Sequence, residues 1–516
     1  MVKSSKRIQV LCALLVAGFS LYIWPYFLSY VWAIVRFPYD WEPTDGDHLN
    51  IVFRILHGQN IYSNWHDGAI LNLYNPGFHY LMAALSPWVA PTLSSGRTLS
   101  AFAFFGCVAF ILAAVMTYKS NLSRTMRISI ASLVALCTVS VDFENMTMDL
   151  IHISPNTLYT FWALASLYCL FNWDQSVSDD QPRKLWPLAL CAVFATFAYL
   201  TKQQGVYCPV TVFVVLALRH ARKSEWALFT VVAGGLTLAA IAYLEIRNHG
   251  TFLRSTLLNV PQVYRSPFHE AQKRIIKFSY QSSPWVLLTL AGLVAQRDAR
   301  KWNVWQISVP IQLIFLFQTA GNVNGGPNYF FSFWCTLLIC SGVTAIDFFA
   351  NESSRLGFSS CRPRILTLGF LLILPNLLYA DILNPVILTK LLPNRAVLDP
   401  MMKSNYDKIR ELVEASSNKE VLVDRVIGGW VVAGAEVENE FCTLINAWYS
   451  KSDVFNRPAF LEKIRTRKYA FIVSGLIPIP DEVMVVVNEV YRPSLTMTTN
   501  LWMGQVVSDV TVYAPK

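Results

Sequence analysis

Long apolar runs, separated by short polar linkers, pattern the chain as far as residue 382. A membrane-crossing helix needs roughly 20 apolar residues at 1.5 Å rise each. Runs of that character lie at 8–35, 98–118, 128–142, 156–172, 186–200, 205–218, 225–244, 284–295, 302–318, 328–349 and 365–382. A further run at 76–91 is broken by Pro76, Pro87 and Pro91. The pattern predicts eleven spans, with 76–91 a juxtamembrane or re-entrant helix that does not cross. Beyond residue 384 the pattern changes. Helix-like 400–416 precedes strand-like Glu420–Asp424, and helix-like 457–467 precedes strand-like Tyr469–Ser474. Then come 481–491 and a last strand-like stretch ending at 513. That alternation predicts an α/β unit. The expected organisation is an all-α polytopic membrane domain over 1–383 and a small α/β domain over 384–516.

Charge orients the spans. With 76–91 held to one side, the basic clusters fall together: Lys3, Lys6 and Arg7; Lys119, Arg124 and Arg127; Arg183 and Lys184; Arg219, Arg222 and Lys223; Arg297, Arg300 and Lys301; Arg355, Arg362 and Arg364. The other side receives Asp45, Asp47, the acids of 142–149 and the loop 321–328. Positive residues stay cytoplasmic, so the N-terminus is expected inside and the C-terminal unit outside. The first run follows a basic N-terminus without a small-residue cleavage site, and reads as a retained signal anchor.

Composition agrees. The 516 residues are 54% apolar and only 15% charged, with mean hydropathy +0.39. A soluble domain averages about 25% charged, so a soluble enzyme and a disordered chain are both excluded. The net charge of +9 is then a topology signal, and no nucleic-acid partner is expected. Most of the 10 cysteines lie in apolar runs. Without a CxxC pair neither a disulfide framework nor a zinc site is expected.

Candidate chemistry concentrates in the loop 36–97. Asp45 and Asp47 open an amphipathic pattern that places Leu49, Val52, Phe53 and Leu56 on one face. Two readings stand side by side: a helix N-cap with a solvated neighbour, or a carboxylate general base facing a membrane-embedded substrate. Lys202 ends the fifth span in the run LTKQQG, where it either snorkels or, with Gln203 and Gln204, holds a phosphate. The loop 245–283 breaks the charge rule with Arg247, Arg254, Arg265, Lys273, Arg274 and Lys277. It binds anionic headgroups or clamps a phosphate. The Gly-rich loop GNVNGGPNYF at 321–330 brings Asn328 and Tyr329 to the same side. In His152–Asn156 a capping and turn role is expected, because Pro155 suits a first helical turn. No Ser-His-Asp spacing and no HExxH motif occurs. The sequons at Asn121, Asn145 and Asn351 add little, since only Asn145 is expected outside.

Together these pieces resemble the GT-C class of polytopic glycosyltransferases, nearest the protein-O-mannosyltransferase-like branch, glycosyltransferase family 39. The carriers are Asp45-Gly46-Asp47, Arg54, Gly58, Tyr62, and Tyr74-Asn75-Pro76-Gly77 with Tyr80. The Lys-Gln pair, the Gly-rich Asn-Tyr loop and the segment FLEKIRTRKYAFIV extend the likeness over most of 1–350 and into the C-terminal unit. The family often has Asp-Glu where this chain has Asp45-Gly46, and Pro-Pro where it has Asn75-Pro76.

The resemblance implies an enzyme, a hexosyl- or pentosyltransferase, that takes a sugar from a polyprenyl-phosphate donor. The acceptor hydroxyl belongs to a lipid, polysaccharide or protein, and transfer is inverting, on the outer face of a bacterial inner membrane. It implies Asp45 and Asp47 as catalytic acids, Asp45 matching better by its distance to Arg54. It implies Lys202, Arg54, Arg254, Arg265, Lys273 and Arg274 around the donor phosphate, and His48, Tyr74, Gln203, Asn328 and Tyr329 around sugar or acceptor. No cofactor is certain, and a divalent metal stays open, since some members of the class use one. The rival readings are a flippase or transporter for a lipid-linked sugar and a non-catalytic scaffold subunit. The absence of internal repeats and the gathering of acids at one surface favour the enzyme.

Overall fold

The computed structural model describes residues 2–41, 43–140, 152–176, 183–263, 267–296, 298–321, 327–350, 398–424, 426–438, 441–450, 453–475, 479–500 and 507–516. The apolar runs became helices: α1 (Val2–Val35), α4 (Leu93–Thr117), α5 (Arg124–Ser140), α6 (Pro155–Gln175), α7 (Trp186–Thr201), α8 (Tyr207–Leu218), α13 (Ser283–Ala295), α14 (Val304–Thr319) and α15 (Phe331–Ala350). The run 225–244 forms α9 (Lys223–Phe229) and α10 (Gly235–Arg247), joined by a π-turn at Thr230–Gly234. The expected run 365–382, the boundary at 384 and the sequons Asn145 and Asn351 lie outside the described residues. Val16–Val35, Leu93–Thr117, Lys223–Arg247 and Asn328–Phe348 are long and apolar enough to cross a membrane, and α7, α8, α13 and α14 are apolar but shorter. Among the described residues four helices thus have the length and composition of a span, against the expected eleven.

Local signals set the helix starts. Thr92 and Ser95 close a reciprocal capping box on α4, and Asn303 and Gln306 do the same on α14. Pro155 occupies the first turn of α6, where its missing N–H costs nothing. The run 76–91 yields only α3, Gly77–Leu85. Its 9 residues rise about 13 Å, too little to cross. The loop acids open α2, Pro43–Leu56. The basic loop after α10 holds a π-turn at Arg254–Asn259, then α11 (Val260–Val263) and α12 (Phe268–Gln281).

The C-terminal region is a mixed α/β layer, as its alternation predicts. A helix over 398–415, α16, precedes β1 (Glu420–Val423), α17 (Ile427–Val432), β2 (Glu436–Val437), α18 (Phe441–Tyr449), α19 (Arg457–Arg465), β3 (Phe471–Ser474), α20 (Asp481–Val490), β4 (Tyr491–Asn500) and β5 (Val507–Pro515). The sheet order is β2-β1-β3-β5-β4. β1 runs parallel to β2 and β3, with Val421 opposite Phe471 and Val423 opposite Val473, whereas β5 is antiparallel to β3 and β4. Both central strands are almost wholly buried, as expected of parallel strands covered on two faces.

This layer is bolted to the first loop. Tyr406 of α16 donates its hydroxyl to Asp40 Oδ2 at 2.8 Å, and the Gly428 N–H donates to Asp40 Oδ1 at 3.1 Å. Arg54 Nη2 and Asn50 Nδ2 of α2 both donate to the Val437 carbonyl, at 2.8 and 3.1 Å. Gly46 lies against Gly428 so closely that a Cβ would overlap its backbone nitrogen. That approach leaves no room for a side chain at position 46. Apolar residues of the bundle and of α16, α17 and β1 form one continuous core that includes Phe37, Trp41, Tyr406, Ile427 and Trp430.

Burial raises the Asp40 carboxyl from 3.8 to about 6, against the hydrogen bond from Tyr406. The folded state therefore takes up a proton between those values, so stability falls as pH rises through that window. The remaining cost above it is roughly 3 kcal/mol. Melting of the detergent-solubilised protein should shift down between about pH 4 and pH 7, and Asp40→Asn should flatten that shift. An unchanged slope in the variant would place the titration elsewhere.

Candidate active site

Asp45 sits in the first turn of α2 and is wholly buried. Arg97 of α4, equally buried, donates to its Oδ2 through Nε at 3.1 Å and Nη2 at 2.5 Å. The same guanidinium donates to the carbonyls of Ile34, Phe37 and Tyr39, so it ties the end of α1 to the start of α2. Asp45 Oδ1 accepts from the Ile153 N–H at 2.8 Å, with His152 Nδ1 at 3.8 Å, and the Trp41 N–H reaches Oδ2. Burial pushes the carboxyl up, but Arg97 and His152 outweigh it and hold Asp45 below its ordinary value. Asp45 is thus an ionised anchor with both oxygens occupied. Asp47, two residues on, is half-buried.

Lys202 stands at the shared end of α7 and α8, in extended backbone just before the turn Gln203–Val206. The loop 72–77 lies on the end of α7. Asn75 Nδ2 donates to the Tyr199 carbonyl at 2.5 Å, Gln203 Nε2 donates to the Leu73 carbonyl at 2.8 Å, and a Cβ on Gly77 would collide with the Leu200 carbonyl. This packing brings the Tyr74 ring to 5.4 Å from the Lys202 ammonium. Tyr159 of α6 lies at 6.0 Å and Tyr329 at 4.1 Å, which makes an aromatic shell. The ammonium also donates to Asn156 Oδ1. Among the described residues no carboxylate lies within ion-pair distance of it, and burial alone pushes it down to about 7.

Polar atoms on the same segments are buried without a partner: Asn75 Oδ1, Ser154 Oγ, Gln204 Oε1 and Asn328 Oδ1. Buried polar groups are normally satisfied; the three amide oxygens accept only, and Ser154 Oγ alone of these atoms can donate to an anion set at Lys202. Beside it, His48 Nδ1 of α2 and His79 Nε2 of α3 share a hydrogen bond at 3.0 Å. Burial pushes both rings down, His79 to about 3, and His79, His152 and Lys202 add to the effect on His48.

The structure thus gathers Lys202, Tyr74, Tyr329 and His48, with Gln203 holding the loop. It sends other candidates elsewhere. Arg54 serves the seam with β2. Arg254 is exposed on its π-turn, Lys273 is exposed and pairs with Glu270 at 3.1 Å, and Arg274 donates to the Ala320 carbonyl at 3.1 Å. Arg265 lies outside the described residues. Arg97, His79 and Tyr159 went unnoticed in the sequence. The signal for Arg97 was a lone Arg at the mouth of an apolar run. Asn156 was read as part of a capping turn, yet Ser154 makes no side-chain cap and Asn156 meets Lys202. Among the described residues no three His, Cys, Asp or Glu side chains are set to ligate a metal ion.

Removing either partner of the Asp45–Arg97 pair strands a buried charge, at roughly 3–5 kcal/mol. Asp45→Asn and Arg97→Met should each lower the melting temperature, and the double variant should recover much of the loss. Additive losses would show that the two do not act as a pair.

No sequence-family model matches the chain, and no curated protein does. Solved structures match in fold. ArnT from Cupriavidus metallidurans bound to undecaprenyl phosphate is 13% identical, with TM-score 0.58 over 94% of this chain and 97% of that one. The Archaeoglobus fulgidus oligosaccharyltransferase complexed with Zn and sulfate is 12% identical, with TM-score 0.51 over 90% of this chain and 67% of that one. AglB from the same organism, in complex with an inhibitory peptide and a dolichol-phosphate, is 10% identical, with TM-score 0.51 over 91% and 69%. Helical bundle, loop helices and C-terminal layer together give this chain the fold of the GT-C class of membrane glycosyltransferases.

Proposed function

We propose that the chain is an integral-membrane glycosyltransferase that moves a sugar from a polyprenyl-phosphate donor to an acceptor hydroxyl, with inversion, on the outer face of the membrane. The observation that carries this reading is Lys202, a buried cation with no anion of its own among the described residues. An uncompensated buried charge is costly. A donor phosphate set against it removes that cost and is in turn stabilised as a leaving group. The fold neighbours bound to undecaprenyl phosphate and to a dolichol-phosphate support a donor of that chemistry.

Room for the lipid adjoins the cation. An apolar groove of 420 Å³ between α3, α6, α7 and α10 is lined by Gly77, Tyr80, Trp162, Phe197, Thr201 and Tyr243 among others. Thr201 directly precedes Lys202, so the first isoprene units occupy the groove with the phosphate at the ammonium. Asn328 and Tyr329 border the sugar, and the tyrosine shell excludes water from the leaving phosphate. In the reaction the acceptor oxygen bonds to the anomeric carbon. The carbon–oxygen bond to phosphate breaks, and polyprenyl phosphate departs with the electron pair. The C-terminal layer, pinned to α2, faces the acceptor, which is a lipid, polysaccharide or protein.

Membranes holding the protein should transfer label from at least one polyprenyl-phosphate sugar. Lys202→Met should lower kcat/KM for it by roughly 100- to 1,000-fold. The same variant should melt no lower than wild type without donor, because the buried charge is gone. Lys202 is depressed from 10.5 to about 7, so wild-type stability should rise with pH through that window, and the variant's should not. Transfer by Lys202→Met at the wild-type rate would end the phosphate assignment.

A further inference from the structure

The proposed reaction needs a group that accepts the acceptor's proton, and Asp45 is badly placed for it. It is wholly buried, Arg97, Trp41 and Ile153 donate to its oxygens, and His152 Nδ1 stands 3.8 Å from Oδ1. The His48–His79 pair is differently disposed. The two rings come from separate helices, α2 and α3, with centroids 5.1 Å apart, and meet through one hydrogen bond at 3.0 Å. His79 is wholly buried, whereas His48 is half-buried. Nδ1 of His48 is committed to His79, which leaves Nε2 as the ring nitrogen for a further partner.

We propose that His48 takes the acceptor's proton through Nε2, and that His79 is the positioning residue that holds its ring. The proposal rests on the glycosyl-transfer reading above. The hydroxyl proton passes to Nε2 as the acceptor oxygen bonds to the anomeric carbon, and the pair of the breaking bond leaves on the phosphate. The imidazolium so formed donates its Nδ1–H to His79 Nε2, which spreads the charge, and later returns a proton to water.

The surroundings keep this base ready. Burial above all, then His79 on α3, His152 before α6 and Lys202 after α7, disfavours a cation at His48 and pushes the ring down. The Phe78 ring, 6.2 Å away, adds no charge. Behind His152, Asp45 is neutralised by Arg97. A phosphate at Lys202 removes one of the charges that disfavour the imidazolium, while the burial stays.

The test uses full-length protein in membranes, with whichever donor the wild type accepts. The variants are His48→Gln, His79→Gln and His79→Phe, and kcat and donor KM are followed across pH. His48→Gln should lose roughly 100- to 10,000-fold in kcat, with donor KM within a few-fold and the acid limb of the kcat profile gone. His79→Gln, which keeps a hydrogen-bonding group, should hold more activity than His79→Phe and shift the limb without abolishing it. A His48→Gln protein with wild-type kcat and an unchanged acid limb overturns the inference and leaves the transferase standing. The inference also falls if both His79 variants match wild type in rate and profile. Absence of transfer by the wild type with every donor overturns the transferase reading and this base together.

Discussion

The ion pair between Asp45 and Arg97 joins four stretches of chain: the end of α1, the start of α2, the first turns of α4 and the entry to α6. Burying two charges costs several kcal/mol each, and geometry has to offset it. Here it does so, since Arg97 spends its remaining donors on the carbonyls of Ile34, Phe37 and Tyr39, and Asp45 accepts the Ile153 N–H. Those carbonyls belong to a loop that leaves a helix end, where backbone groups lack partners. The pair thus satisfies the loop and fixes its path. With Asp45 fixed, His48 follows on the same face of α2, three residues on, and meets His79.

A second consequence concerns the two charges left over. Arg97 is matched and Lys202 is not, although both are buried. The matched charge builds the loop; the unmatched one is held by rings and an amide, which tolerate a cation without neutralising it.

The C-terminal layer belongs to the same construction. Asp40, Gly46, Asn50 and Arg54 flank the stretch of the loop that carries Asp45 and His48, and all touch α16, α17 or β2. The stretch that carries His48 is therefore clamped between the bundle and the sheet. The layer is joined to the loop through backbone and carboxylate contacts, which are short and directional. Arg54, which family likeness places near phosphate, is committed to this clamp.

Apolar periodicity by itself determined the helices of the bundle, because about 20 apolar residues in lipid leave the backbone no other way to satisfy its hydrogen bonds. It also determined β1, β3, β5 and α19, whose alternation and caps are local. β4 escaped notice, since its sequence YRPSLTMTTN has few apolar residues and its pairing with β5 supplies the order. The site was half legible. Lys202 stood out at the end of a span and Tyr329 in a Gly-rich loop, while Tyr74 and His48 came only with the family resemblance, and their roles depended on partners elsewhere in the chain. Arg97 lies 52 residues from Asp45, Asn156 lies 46 from Lys202, and Val437 lies 383 from Arg54. A single carboxylate reads alike as base or anchor until its lone pairs are counted, and only tertiary packing decides which donors reach them.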